Sequence, residues 1–325
     1  MHRALITGGA GFIGSNLADA LISRGVAVVV LDDFRTGNRA FIEHLLGDPL
    51  FRLDEGDIHD QRLLANAVDG CDWVFHLQAN ADVRHGTTHP TLDLEQNTIA
   101  TSLVLEAMRA GGVHNIVFSS TGSVYGEPEV FPTPEDAPFP IQTSMYGASK
   151  LACEALIAAY ATGYAFTGII CRFVSILGER YTHGHVIDFY KMLQSDPTRL
   201  TVLGDGRQEK SYLYVKDCVE AMLLAAKEHE DSPGAFVYNL GTDETVVVDD
   251  SVTLITKHLG LSPVVSHTGG RRGWVGDSPL IRLDTKRIRS LGWQPTLSIP
   301  EAIEATLTWF DENPGIINDQ NEGHR

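Results

Sequence analysis

The sequence predicts an α/β fold: a doubly wound parallel sheet followed by a smaller C-terminal domain. Three observations carry this. Short β-branched runs alternate with amphipathic helical stretches through the first half of the chain. A glycine-rich turn, Thr7-Gly8-Gly9-Ala10-Gly11-Phe12-Ile13-Gly14, joins the first run to the first helical stretch. The second run, Val28-Val29-Val30-Leu31, closes on Asp32-Asp33.

In order, strands are expected at 4–7, 26–31, 51–53, 73–76, 116–119 and 167–173, with helices at 13–23, 61–68, 97–110 and 145–160. A strand, helix, strand alternation at this spacing demands parallel pairing with right-handed crossovers, because a tight turn cannot reach a parallel neighbour. After about Ser175 the alternation gives way to Gly-, Pro- and charge-rich loops, with helices expected near 185–194, 215–228, 248–258 and 299–312. The tail from Asn313 to Arg325 is polar enough to fray.

Composition bounds the partners. The 325 residues are 43% hydrophobic and 21% charged, a soluble globular balance that excludes a collagen, a disordered tail or a small disulfide scaffold. Lys and Arg number 25 against 42 Asp and Glu, so the formal charge of −17 repels nucleic acid and anionic lipid. An anionic ligand must therefore meet individual basic residues. Cys71, Cys153, Cys171 and Cys218 form no CxxC pair and suggest neither zinc nor a disulfide frame, so a reducing cytoplasm is expected. A leader and a membrane span are not expected, since the start runs directly into a strand and no 18-residue apolar stretch follows.

Gly8, Gly11 and Gly14 allow a tight turn, close approach of backbone N–H groups to a pyrophosphate, and close helix-on-sheet packing. Phe12 and Ile13 open the helix that faces the negative charge. The spacing is GxxGxxG, and by itself such a triplet is also compatible with a plain turn. Asp32 stands eighteen residues beyond Gly14, where an acidic side chain, with Asp33 beside it, accepts from ribose hydroxyls. A carboxylate there repels a 2′-phosphate and favours NAD over NADP; Arg35 either weakens that preference or is an exposed loop residue. Asp57 and Ile58 follow the third strand, suited to an adenine edge or to an ordinary turn. The cradle and Asp32 together predict a Rossmann-type dinucleotide-binding domain.

Tyr146 and Lys150, four apart in Tyr146-Gly147-Ala148-Ser149-Lys150, share a helical face, where an ammonium can stabilise a phenolate. Such a pair is commonly a solvated face. A third element changes its reading: Ser119-Ser120-Thr121-Gly122-Ser123 closes the fifth strand, at the carboxyl end where ligands of open α/β sheets sit. Thr121 is placed there to hydrogen-bond a substrate hydroxyl beside Tyr146, with Ser119 near the cofactor.

On TGGAGFIGS, HLQANADVR, SSTGSVYG, YGASK, LGDGRQEKSYLYVKD and LGWQPTLSIPEAI, the chain resembles the extended short-chain dehydrogenase/reductase family along nearly its whole length. Within that family it is most similar to the NAD-dependent sugar-nucleotide epimerases and dehydratases, and there to UDP-glucose (UDP-galactose) 4-epimerases. The resemblance implies residues 1–174 as an NAD-binding Rossmann domain and residues 175–325 mainly as a nucleotide-sugar-binding domain, with some segments returning to the first. It implies Thr121, Tyr146 and Lys150 as the catalytic set, the lysine also holding the nicotinamide ribose. Asn97 matches an asparagine beside the cofactor, and Leu77, Gln78 and Ala79 the wall of the nicotinamide pocket, with Gln78 in place of a common alanine.

On the substrate side the resemblance points to Arg84, Ser123, Ser175, Lys210, Tyr212, Arg272 and Asp277. Relatives usually carry arginine at position 210 and asparagine at position 175, and Trp274 lengthens the interval from Arg272 to Asp277. The 4,6-dehydratases of this family place Asp-Glu after the catalytic threonine, and the UDP-glucuronate decarboxylases a Glu at position 123; here Gly122-Ser123 stand instead. What remains is hydride withdrawal from C4 of a nucleotide-diphosphate sugar, a 4-keto intermediate, and return of the hydride to the other face; separately, the helices expected at 97–110 and 145–160 resemble the pair through which family members dimerise, which implies a homodimer. Alternatives are epimerisation of another sugar nucleotide (UDP-glucuronate, UDP-GlcNAc, a GDP- or CDP-sugar), dehydration, or an idle NAD-binding regulator. Tyr181, His183 and His185 resemble a metal cluster in spacing, yet this chemistry needs no metal.

Overall fold

The structure is a computed structural model, and it describes residues 1–80, 86, 88–138, 141–270 and 280–319. The first half runs β1 (Arg3–Thr7), α1 (Phe12–Ser23), β2 (Ala27–Asp32), β3 (Phe51–Glu55), α2 (Gln61–Val68), β4 (Trp73–His76), a π-helical turn (Leu94–Ile99) leading into α3 (Ala100–Gly111), β5 (Asn115–Thr121), α4 (Met145–Tyr164) and β6 (Thr167–Phe173). There follow β7 (Ser175–Leu177), α5 (His185–Ser195), β8 (Arg199–Val202), β9 (Glu209–Lys210), β10 (Tyr212–Tyr214), α6 (Val215–Glu228), β11 (Gly234–Leu240), β12 (Val246–Val247), α7 (Val248–Leu259), β13 (Val264–His267), α8 (Lys286–Ser290), α9 (Ile299–Glu312) and α10 (Pro314–Asp319).

Local chemistry starts several of these helices. Asp60 caps α2 by accepting from the N–H groups of Arg62 and Leu63 at 2.9 and 3.2 Å. At α9, Ser298 and Glu301 form a reciprocal capping box.

Seven strands form one sheet in the order β11-β6-β5-β4-β1-β2-β3, with every neighbouring pair parallel. The chain leaves β1 toward β2 and β3, then returns to the other side of β1 at β4. This reversal opens a crevice outside the carboxyl ends of β1 and β4, where a doubly wound sheet takes its ligand. Side chains alternate between the two faces, as period-two strands require. Leu5, Val29, Val74, Ile116 and Ile170 pack beneath α2, α3 and α4. Ala4, Ile6, Val28, Val30, Phe75 and Val117 face the other way, into a core that also takes Leu17, Met222, Phe189, Ile255, Leu307 and Phe310 from α1, α6, α5, α7 and α9. The C-terminal helices thus share one apolar core with a face of the sheet.

The structure departs from the sequence expectation in three places. A seventh strand, β11, pairs with β6 from Gly234↔Thr167 to Leu240↔Phe173. It comes from beyond residue 174, so the sheet is completed by the C-terminal half. The helix expected to start at Asn97 begins as α3 at Ala100, and Asn97 itself lies in the π-helical turn from Leu94. Of the tail expected to fray, the described part, Pro314–Asp319, forms α10, because Ile317 is 3% exposed and joins the core. Among the described residues, no helix is long and apolar enough to cross a membrane.

Candidate active site

The turn after β1 is shaped by three glycines. Gly8 has φ +72°, and its N–H donates to the Leu31 carbonyl at 2.9 Å, while the Gly11 N–H donates back to the Gly8 carbonyl at 3.1 Å. A Cβ on Gly8 would lie 2.8 Å from the backbone nitrogen of Gln78, and one on Gly14 would lie 2.3 Å from the Gly8 carbonyl oxygen. Gly11 is the N-cap of α1 and brings no side-chain acceptor, so the first-turn N–H groups are left for a ligand. Phe12 is 7% exposed and packs edge-on against Tyr181 at 5.6 Å, so its ring belongs to the core and its backbone to the cradle. Ile13 is half-buried beside it. These features fit a dinucleotide pyrophosphate: backbone donors, no side chain in the way, and a helix start behind them.

Asp32 ends β2 and is 8% exposed. Its carboxylate accepts from the Ala10 and Phe34 N–H groups at 2.8 and 2.9 Å, binding the glycine turn to the strand end. Burial raises its pKa against the pull of those two donors. Exposed Asp33 pairs with Arg35 at 3.1 Å, and the same guanidinium is 3.4 Å from Asp57. Arg35 is therefore held between two carboxylates, away from the role of a phosphate ligand. Burial works upward on Asp57, but hydrogen bonds from the His59 backbone and ring, at 2.9 and 2.7 Å, hold its carboxyl below the ordinary value. Ile58 is 5% exposed and sits in the core beneath.

The crevice wall follows β4. The Leu77 N–H donates to the Thr7 carbonyl at 3.1 Å. Gln78 donates from Nε2 to Gln96 Oε1 at 3.0 Å, and its own Oε1 is buried without a hydrogen-bond partner. Ala79 is half-buried. Asn97, 1% exposed within the π-helical turn, accepts from the Asn80 N–H and donates to Ser149 Oγ, both at 2.8 Å. Asp93, also 1% exposed, accepts from the Asn80 side chain at 2.8 Å and lies 3.4 Å from Asn97 Nδ2.

At the end of β5, Thr121 caps a short turn (Gly122–Tyr125), accepting from the Ser123 N–H at 3.1 Å and donating to Ser123 Oγ at 3.2 Å. Ser144 caps α4 through the Gly147 N–H at 3.0 Å, which puts Tyr146 in the first turn and Lys150 one turn later. Lys150 is 1% exposed; its Nζ donates to the Ser119 carbonyl at 2.7 Å and lies 6.0 Å from the Tyr146 ring centroid. Ser119 Oγ in turn donates to the His76 carbonyl at 3.3 Å. Burial pushes the lysine down to about 8, against the nearby Cys153, Glu154 and Asp93. Burial and then the Asp93 charge raise the Tyr146 phenol, while a hydrogen bond with Thr121 draws it down. The expected lysine-driven lowering of the phenol is thus absent from the protein matrix itself: desolvation prevails, and the ammonium is committed to Ser119.

On the substrate side, Ser123 is half-buried under Thr121. Exposed Ser175 on β7 is in register with Tyr212 on β10, and Tyr212 Oη lies 2.7 Å from His185 Nδ1 at the start of α5. Burial, and the charge of Lys210 on β9, push His185 down to about 3. Ser175, Lys210, Tyr212 and His185 are therefore brought together from four elements. Arg84, Arg272 and Asp277, with Trp274, lie outside the described residues. Tyr181 packs on Phe12 and Phe310, and among the described residues no group of three or more His, Cys, Asp or Glu is placed to hold a metal ion.

Sequence reasoning singled out His185 only as a residue of the substrate loop, and it passed over Asp93, Asn80 and Ser149, which bond to Asn97 or to one another in the crevice wall. Ser149, next to Lys150 in the same motif, had a signal within reach; the others join the site through pairings between distant segments.

Residues 4–241 match the model of the NAD dependent epimerase/dehydratase family. The UDP-glucose 4-epimerase of Mycolicibacterium smegmatis is 32% identical over 315 residues, 95% of this chain and 98% of that protein. Among solved structures, a UDP-galactose 4-epimerase superposes with a TM-score of 0.85 at 38% identity, covering 96% of this chain and 99% of its own. A UDP-glucuronic acid 4-epimerase from Bacillus cereus, in complex with UDP-glucuronic acid and NAD, superposes with a TM-score of 0.87 at 27% identity, covering 95% and 99%. The chain belongs to the NAD dependent epimerase/dehydratase family. Within it, NAD is the cofactor.

Proposed function

We propose that this protein inverts C4 of a UDP-hexose, interconverting UDP-glucose and UDP-galactose. One observation carries the reading: Thr121 ends β5, Tyr146 stands in the first turn of α4 with Lys150 Nζ 6.0 Å from its ring centroid and 2.7 Å from the Ser119 carbonyl, and the Gly122-Ser123 following Thr121 supply no carboxylate for elimination. The names of the relatives at about the same length support it.

In this reading Gly8, Gly11, Gly14 and the start of α1 hold the pyrophosphate of NAD, Asp32 its adenosine ribose, Asp57 and Ile58 its adenine, and Lys150 its nicotinamide ribose. Bound NAD supplies a reversible hydride acceptor. Tyr146 takes the proton of the sugar 4-hydroxyl and later returns it, and Thr121 orients that hydroxyl. The raised phenol requires a nearby positive charge to act as a base, so proton removal is confined to the loaded site. Lys210 and Arg272 meet the sugar-nucleotide diphosphate; with lysine at 210, the charge is met without a bidentate fork.

Purified protein with bound NAD, supplied with UDP-glucose, UDP-galactose, UDP-glucuronate or UDP-GlcNAc, is expected to interconvert the first two. Turnover confined to the glucuronate or N-acetyl substrate would replace the sugar named here. A 4-keto-6-deoxy product would overturn epimerisation.

A further inference from the structure

Arg172, near the carboxyl end of β6, is 2% exposed, and a charge buried there is expensive. Its register partners are Ser120 on β5 and Asn239 on β11. These three residues form one transverse polar row, 2%, 2% and 0% exposed, immediately before the row that ends in Thr121. Glu154, on α4 one turn beyond Lys150, completes it. Arg172 Nη2 and Nε donate to the Glu154 carboxylate at 2.6 and 3.0 Å, and Ser120 Oγ donates to the same carboxylate. On its other side Arg172 Nη1 donates to Tyr125 Oη at 2.7 Å and to the Glu135 carbonyl at 3.0 Å.

The chain of contacts continues. Tyr125 Oη donates to Asn239 Oδ1 at 2.7 Å, and Asn239 Nδ2 donates to the Thr133 and Asp284 carbonyls at 2.9 and 3.1 Å. Thr133 and Asp284 are themselves tied by a backbone bond of 2.9 Å. In sequence, the 282–284 stretch follows Asp277, one of the expected substrate residues, by five positions.

A buried ion pair stabilises a fold no better than well-packed apolar side chains of similar volume, so stability alone does not account for this row. A guanidinium does one thing such side chains cannot: its planar fork fixes several partners in set directions at once. We propose that Arg172 is a positioning residue for the reacting corner, registering β5 and α4, which carry Thr121 and Tyr146, against the 133–135 and 282–284 segments through Glu154 and Tyr125. This rests on the epimerase reading above.

The test uses the NAD-loaded full chain and two variants that spare the ion pair, since replacing Arg172 itself leaves Glu154 buried and unpaired. Ser120→Ala and Tyr125→Phe each delete one hydroxyl, on opposite sides of Arg172. Each is expected to lower kcat about tenfold, with KM and NAD content within about twofold, and to enlarge the isotope effect with C4-deuterated UDP-galactose as the chemical step becomes limiting. Unchanged kcat, a KM rise that accounts for the loss, an unchanged isotope effect, or a loss matched by a smaller folded fraction would each overturn the proposal. Wild-type protein inactive on every UDP-hexose would overturn the functional reading itself; an active wild type with unaffected variants would overturn only the role of Arg172.

Discussion

The proposed cofactor side and the proposed substrate side of the crevice are built by opposite means. The cofactor side stands on long parallel strands, and its turn after β1 offers bare backbone, with glycines where side chains would intrude. The substrate side is assembled from β7 with β10 and β12 with β9, two-stranded pieces of two to three residues each. Its polar groups, Ser175, His185, Lys210 and Tyr212, are side chains from four separate elements. Backbone recognition suits a ligand that never changes. Side chains on short strands can be exchanged without disturbing the central sheet, which is how one scaffold serves many sugars.

Three experiments sharpen this contrast. The largest effect is expected where the two sides meet: Tyr146→Phe removes the proton-transfer group, and kcat should fall roughly 10²- to 10⁴-fold while bound NAD, measured after denaturation, stays near one per chain. Retained turnover would break the assignment of Tyr146. On the cofactor side, Gly14→Ala places a Cβ 2.3 Å from the Gly8 carbonyl oxygen and 2.8 Å from Gly9 Cα, both backbone atoms that cannot swing away. A loss of about 1–3 kcal/mol in unfolding free energy is expected, together with depleted NAD. A variant as stable and as fully loaded as the wild type would show that the turn yields more than its packing suggests.

The smallest effect belongs to the C-terminal half. His258 on α7 lies 2.9 Å from both Glu304 and Asp311 on α9. Burial lowers its pKa, but the two carboxylates outweigh burial and raise it above its ordinary 6.5. A raised histidine contributes stability that is complete below about pH 6.5 and is lost as pH climbs through the folded value. The carboxylates are half-exposed, so solvent screening keeps the contribution under about 1 kcal/mol. Thermal midpoints from pH 6 to 9 should therefore fall more in the wild type than in His258→Gln. Parallel curves would dismiss the contact.

Six strands and the main helices were legible in the sequence because their signals are local: period-two runs, glycine spacing and the four-residue interval between Tyr146 and Lys150. β11 was not, although Phe236-Val237-Tyr238 has strand character, because the run follows a helix in a loop-rich half and its partner β6 lies more than sixty residues earlier. The proposed catalytic set could be singled out for the same reason the fold could, each member sitting in a compact motif. Asp93 and the Ser120–Arg172–Asn239 row could not, since cross-strand register is a property of the assembled sheet. The state of the Tyr146 phenol was also hidden: four-residue spacing reports that Lys150 is near, while burial sets the direction of the shift.

The late arrival of β11 bears on how the chain is made. A nascent polypeptide emerging from the ribosome can assemble six strands before residue 234 exists, and until then β6 presents a bare row of amide and carbonyl groups along its outer border. Translation of the remaining residues closes that border, so a premature stop or a stalled ribosome in this interval leaves a sticky intermediate suited to capture by chaperones or by its own kind.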